Sequence, residues 1–203
     1  MKEKVIKIYK FSELSREAQM KVVENHGDDF VSDDWWYECV YEDFKDELER
    51  YGFKVDDISF SGFWNPGDGA SFTGEFVDPI EAAEKFLAKY TIKAERNMMS
   101  DLITSLEITR DDYREVHHNS VSCSFSIRDL CDIHDERMDA FLERRGTYEK
   151  LERLVNALKD TMCDKLYREL EDIHNFLTSY DHVADYYTNC DDEEQFLEDG
   201  SDA

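Results

Sequence analysis

Between Asp33 and Tyr51 the apolar residues Trp36, Val40, Phe44 and Leu48 recur every fourth position. That period predicts an amphipathic helix with one buried stripe, ended by Gly52. A longer run follows near the end of the chain, where Leu151, Leu154, Val155, Leu158, Met162, Leu166, Leu170, Ile173 and Leu177 keep a spacing of three or four. At 1.5 Å per residue it predicts roughly 40 Å of helix, within a helical pattern that begins near Glu136 and breaks near Gly146. Ser12 or Ser15, the latter three residues before Ala18, caps a shorter helix with Ala18, Val22 and Val23 on one face that stops at Gly27. Further helices are expected from Asp78-Pro79 through Tyr90, around Asn97 to Leu106 through Met98 and Leu102, and over Asp181 to Tyr187.

Period-2 patterning is rarer. Val121, Cys123, Phe125 and Ile127 alternate with Ser122, Ser124 and Ser126, which predicts a half-buried strand. Tyr113 to Val116 is its expected partner, with the turn at His117-His118-Asn119, and Val5, Ile8, Tyr9 and Phe11 predict a short opening strand. Val55, Ile58 and Phe60, then Phe72, Glu75 and Phe76, flank a loop from Ser61 to Gly74 as the two arms of a hairpin. Within it, Asn65-Pro66-Gly67-Asp68 reads as a type II turn, because proline presets φ and glycine accepts positive φ. Two uses of this loop stand side by side: an anion-binding nest of backbone amides or an Asp68 held for catalysis, and a structural tip packing Phe63 and Trp64 onto helices. No lysine follows the glycines as in a P-loop, and the acid spacing is not that of an EF-hand.

These elements give an α+β protein, a small antiparallel sheet with covering helices and a helical C-terminal part. Residues 1–135 are expected to form an α+β domain centred on the 61–74 loop, residues 136–190 a helical part packed on it, and residues 191–203 an acidic tail.

Charge changes the picture more than any motif. Against 49 Asp and Glu stand 24 Lys and Arg, a formal net charge of −25. Self-repulsion on that scale costs stability, and the same negative charge disfavours direct binding to nucleic acid or an anionic membrane and favours a basic protein partner. Asp34, Glu38, Glu42 and Asp46 share the spacing of the first long helix and form a ladder of carboxylates about 6 Å apart along its axis. Like charges so placed oppose each other by roughly 0.2–0.5 kcal/mol a pair. They are either an ordinary solvated face or a surface for something positive. Trp35, Trp36, Tyr37 and Tyr41 crowd the same helix and cannot all face inward. With Trp64 and Asp68 of the loop, Trp35 and the four acids are the candidate partner-binding residues. From Asp181 onward the chain carries acids and no lysine or arginine, and is expected to be solvated there unless it docks on a basic patch.

Catalytic chemistry finds little support. The five cysteines are scattered and odd in number, and no run of apolar residues has the length of a secretion signal core or membrane span, which favours free thiols in a reducing compartment. Cys131-x-x-His134 has a zinc-like spacing, and a strand at Cys123 places His117 and His118 nearby. No second paired motif accompanies it, so no metal is expected, with Cys131, His134 and His118 the candidates for one. Nucleophile-elbow, zincin and dinucleotide motifs are absent. No cofactor and no enzymatic activity are expected, and a small metal-dependent enzyme is the remotest alternative.

Four stretches carry a resemblance: Ile8-Tyr-Lys-Phe-Ser-Glu-Leu-Ser-Arg-Glu-Ala18, the Ser61–Gly74 loop, Leu166-Tyr-Arg-Glu-Leu170 and Phe196-Leu-Glu-Asp-Gly200. Together they resemble a family of bacteriophage proteins of uncharacterised function, some of whose members carry an antitoxin label. The loop is the distinctive part. Asn65-Pro66 stands where the family pattern suggests a more polar pair, and the C-terminal portion is more acidic. The resemblance implies a phage product acting in the host bacterial cytoplasm and supplies no catalytic residues. The expectation is therefore a phage-encoded inhibitor of a host nucleic-acid-binding defence protein, of restriction or CRISPR type, that mimics nucleic acid with its acidic faces. The rival is an antitoxin-like or regulatory protein-binding module without mimicry. Core packing is the expected use of the long helix stripe, and a homodimer through the 148–178 helix the other.

Overall fold

A computed structural model describes residues 7–76, 103–110, 121–127, 147–189 and 195–203. In chain order the elements are α1 (Arg16–His26), α2 (Trp35–Arg50), β1 (Phe53–Phe60), β2 (Ala70–Phe76), β3 (Ile103–Arg110), β4 (Val121–Ile127), α3 (Thr147–Leu177) and α4 (Tyr180–Asn189), with short 3-10 turns at Phe11–Glu13 and Gly27–Val31. The fold is α+β. The four strands form one antiparallel sheet in the order β1-β2-β3-β4.

The described chain divides into two compact units, Met1–Cys39 with Leu170–Ala203, and Val40–Glu169. The second holds the sheet. There the α2 stripe of Val40, Phe44 and Leu48 and Val155, Leu158, Met162 and Leu166 of the α3 stripe are all buried, whereas Ile173 further along α3 is exposed. Phe72 of β2 is the hinge of that core: it is wholly buried, with its ring 5.2 Å from Phe44 and 5.7 Å from Phe53. Lys159 of α3 is buried and donates to the Val121 carbonyl of β4 at 2.9 Å, while Lys165 bridges Glu47 of α2 at 2.7 Å and Glu169 at 2.6 Å. Val121 is buried and Cys123 and Phe125 half-buried, while Ser124 and Ser126 are exposed, as the alternation requires. Burial pushes the thiols of Cys123 and Cys163 up to about 12, so both are inert packing groups.

In the other unit, Ser15 caps α1 through the Ala18 amide. Phe11, Leu14, Ala18, Val22 and Phe196 form a core against which Tyr9, Val23, Ala184 and Tyr187 pack. Phe196 reaches it through a reciprocal backbone pair with Tyr9, at 2.8 and 2.9 Å.

Two expectations are corrected. Residues 103–106, expected in a helix through Leu106, lie in β3, where buried Leu106 and Ile108 alternate with exposed Ser105, Glu107 and Thr109. The period-2 pattern and pairing with β4 outweigh a chance four-residue spacing from Met98. Val5 of the expected opening strand lies outside the described residues; from residue 7 on, the described pairing is one bridge at Tyr9, and Phe11 enters a 3-10 turn that buries its ring. The expected helix at 78–90, the strand at 113–116 with its turn, and the helical pattern at 136–146 lie outside the described residues.

Candidate functional site

Helix α2 begins where the Asp34 carbonyl accepts the Glu38 amide, so Asp34 stands at the N-cap, where negative charge meets the positive end of the helix dipole. Asp34, Glu38, Glu42 and Asp46 are all exposed, and their four-residue spacing puts them on one face of the helix. Among the described residues none of Glu38, Glu42 and Asp46 forms an ion pair. The aromatic cluster is divided: Trp36 is buried and donates its indole N–H to the Val31 carbonyl at 3.2 Å, Tyr37 and Tyr41 are half-buried, and Trp35 is 53% exposed. The Tyr37 hydroxyl is hydrogen-bonded to Asp34, and that bond, with the charges of Asp34 and Glu38, pushes the phenol up to about 12. It stays protonated.

The other candidates sit on the β1–β2 loop. Asp68 donates its amide to the Asn65 carbonyl at 3.0 Å and Gly67 has φ +101°, which makes residues 65–68 the type II turn that the sequence predicts. The Asp68 carboxylate turns back into the loop and accepts the amides of Asn65 at 2.7 Å and Trp64 at 2.8 Å. Those bonds, the Asn65 amide foremost, hold it below the usual carboxylate range. A nest that might have bound a foreign anion is therefore occupied by the chain's own. Phe63 packs inward, 4.9 Å from Phe60 and 5.3 Å from Tyr167 of α3, whereas Trp64 is 80% exposed. The loop is structural on its inner side and presents one indole on its outer side.

A feature that composition did not signal lies at the end of α1. His26 Nδ1 is 3.0 Å from Asp29 and Nε2 is 2.9 Å from Asp202, and the ring edges onto Tyr187 and Phe196. These side chains, with Gln195 and Ala203, line a cleft of about 460 Å³. Only the imidazolium donates from both nitrogens, so this geometry selects the charged ring and leaves no lone pair for base chemistry. Burial lowers its pKa, but the bonds to Asp29 and Asp202 outweigh burial and raise it above 6.5. A raised folded value means that the stabilisation is complete below the unfolded pKa of about 6.5 and is lost as pH rises through the folded value. Stability is expected to fall with rising pH over that window, and His26→Gln to flatten the dependence. Thermal unfolding of both proteins across the window, with the His26 ring followed by NMR, checks it.

The metal candidates Cys131, His134 and His118 lie outside the described residues. Among the described residues no group of three or more His, Cys, Asp or Glu is placed to hold a metal ion. No helix among them is long and apolar enough to cross a membrane.

One family model matches, over residues 36–180, from the buried tryptophan of α2 to the first residue of α4. The chain belongs to DUF8835. That family is described as a domain of unknown function, and its span takes in the sheet, the exposed loop tryptophan and both long helices. No curated protein and no solved structure matches the chain.

Proposed function

We propose that this DUF8835 member is a phage-encoded acidic binding protein that works in the host bacterial cytoplasm. It occupies the basic surface of a host nucleic-acid-binding defence protein, of restriction or CRISPR type, and so blocks that protein's access to nucleic acid. The observation that carries the proposal is the disposition of charge. Four described cations are engaged within the chain: Lys165 on Glu47 and Glu169, Lys159 on the Val121 carbonyl, Arg110 on Ser59 and Asp57, and Lys21 on Asp199. Glu38, Glu42 and Asp46 of α2 are exposed and form no ion pair among the described residues, at intervals of about 6 Å along the helix. No lysine or arginine occurs between Lys21 and Lys45 or after Arg168. Such a surface attracts a cationic one, speeds encounter with it, and loses hold as salt screens the field.

The triple reversal Glu38→Lys, Glu42→Lys, Asp46→Lys tests this. These side chains are exposed, and reversing all three together leaves the 38/42 and 42/46 pairs like-charged at the same cost of roughly 0.2–0.5 kcal/mol each while pairing position 38 with Asp34, so the helix is expected to persist. In an assay of DNA binding by a restriction or CRISPR effector, the native chain is expected to inhibit strongly at low salt and weakly at high salt. The reversed protein is expected to associate at least roughly tenfold more slowly. Unchanged inhibition by the reversed protein would end the mimicry proposal. The exposure of Trp35 favours the antitoxin-like or regulatory binding module as second reading, and loss of binding in Trp35→Ala alone would select it.

A further inference from the structure

The unit of Met1–Cys39 and Leu170–Ala203 carries aromatic rings that lie outside its buried core and reach it through Tyr187. The ring of Phe176, near the end of α3, lies 5.0 Å from His182 of α4; His182 lies 5.2 Å from Phe30, and Phe30 lies 4.9 Å from Tyr186. These four rings form one continuous strip, in which Phe176 is 58% and Tyr186 44% exposed. Isolated exposed apolar residues need no explanation, but a connected run on three elements does.

Exposed carboxylates stand close in sequence to each ring. Asp172 precedes Phe176 by one helical turn, Asp181 and Asp185 immediately precede His182 and Tyr186, and Asp28 lies two residues before Phe30, all of them exposed. The segments that build the strip lie wholly within the two stretches that carry no lysine or arginine, between Lys21 and Lys45 and after Arg168.

We infer that this strip is a docking surface for an arginine-bearing segment of a basic protein, an inference that rests on the basic-partner reading above and locates a contact for it. A guanidinium is flat and weakly hydrated, so it lies on an aromatic face while its N–H groups fork onto neighbouring carboxylates. An ammonium takes the carboxylates and gains less from the rings. Alternating rings and acids therefore select arginine over lysine. The chain already uses this chemistry next to the strip, where the Arg16 guanidinium sits 3.7 Å from the ring centre of Tyr180 at the start of α4. A second copy of the chain meeting it with the same face is a poor occupant, because that face is built from stretches without lysine or arginine.

Calorimetric titration of the full chain with a nine-residue arginine peptide and a nine-residue lysine peptide, at low salt, tests the inference. The arginine peptide is expected to bind roughly tenfold more tightly. Phe176→Ala and Tyr186→Ala are expected to remove that preference while leaving the lysine affinity in place. Phe176 is the more exposed of the two, so its variant keeps the test valid if the Tyr186 variant loses its packing on Phe30. Equal affinity for the two peptides, or a preference that survives Phe176→Ala in a folded protein, overturns the strip and leaves the basic-partner reading standing on charge. Failure of both peptides to bind overturns both.

Discussion

Phe196→Ala is expected to destabilise the protein by about 3–5 kcal/mol, the cost of truncating a buried phenylalanine. The size of the effect follows from where the ring lies. Phe196 is 1% exposed, edges onto Tyr187 at 5.5 Å and onto Phe11 at 6.5 Å, and shares a core with Leu14, Ala18 and Val22. Its backbone exchanges two hydrogen bonds with Tyr9. Four residues on, the chain turns at Gly200 with φ +81°, so close to α1 that a β-carbon would stand 2.4 Å from the Ala18 carbonyl oxygen. The acids of this segment, Glu198 and Asp199, point outward around an apolar anchor. Urea unfolding is expected to show a lower midpoint for Phe196→Ala with little change in slope, and an unchanged midpoint for Glu198→Ala. A midpoint unmoved by the phenylalanine substitution would mean that the segment is not docked as described.

That segment also shows where the sequence was hard to read. Counting charge from Asp181 onward finds acids without a lysine or arginine, and a chain of that composition is ordinarily solvated. The single Phe196-Leu197 pair among them is too short for any periodicity, and its partner Tyr9 is distant in the chain, so no local pattern marks the contact. His26 escaped for the same reason, since Asp202 is 176 residues away. By contrast, both long helices, the Ser15 cap, the hairpin arms around the loop and the type II turn at Asn65–Asp68 rest on local spacing or turn chemistry, and they stand in the structure where their patterns put them. β3 falls between the two cases: its alternation is present, but Leu106 also suits a helical spacing, and only pairing with β4 decides. On α2, spacing placed the four carboxylates on one face but could not say which of Trp35 and Trp36 lies inward. The buried stripe settles that, because Trp36 is in register with Val40, Phe44 and Leu48 and Trp35 is not.

Phe72→Ala and Trp64→Ala, two aromatic truncations in one hairpin, are expected to behave as opposites. Strand β2 is buried on successive residues, Ala70, Ser71 and Phe72, because the sheet is enclosed where the hairpin meets the helices. Phe72 therefore has no solvated side to relax toward, and its loss leaves a void between Phe44 and Phe53. The expected cost is about 3–5 kcal/mol, since close-packed neighbours collapse only partly into such a space. Trp64 is 80% exposed, and its loop is held by groups the substitution leaves alone: the Asp68 carboxylate on the backbone amides of residues 64 and 65, and Phe63 against Tyr167. Its truncation is expected to change stability by less than about 0.5 kcal/mol. Denaturant unfolding followed by far-UV circular dichroism separates the two. A Trp64→Ala protein as unstable as Phe72→Ala would show the indole to be part of the fold, and would remove it from the candidate partner contacts. An unperturbed fold leaves binding as the property in which loss of that indole can register, and the same protein, already shown to be intact, then serves in the inhibition assay beside the α2 reversals.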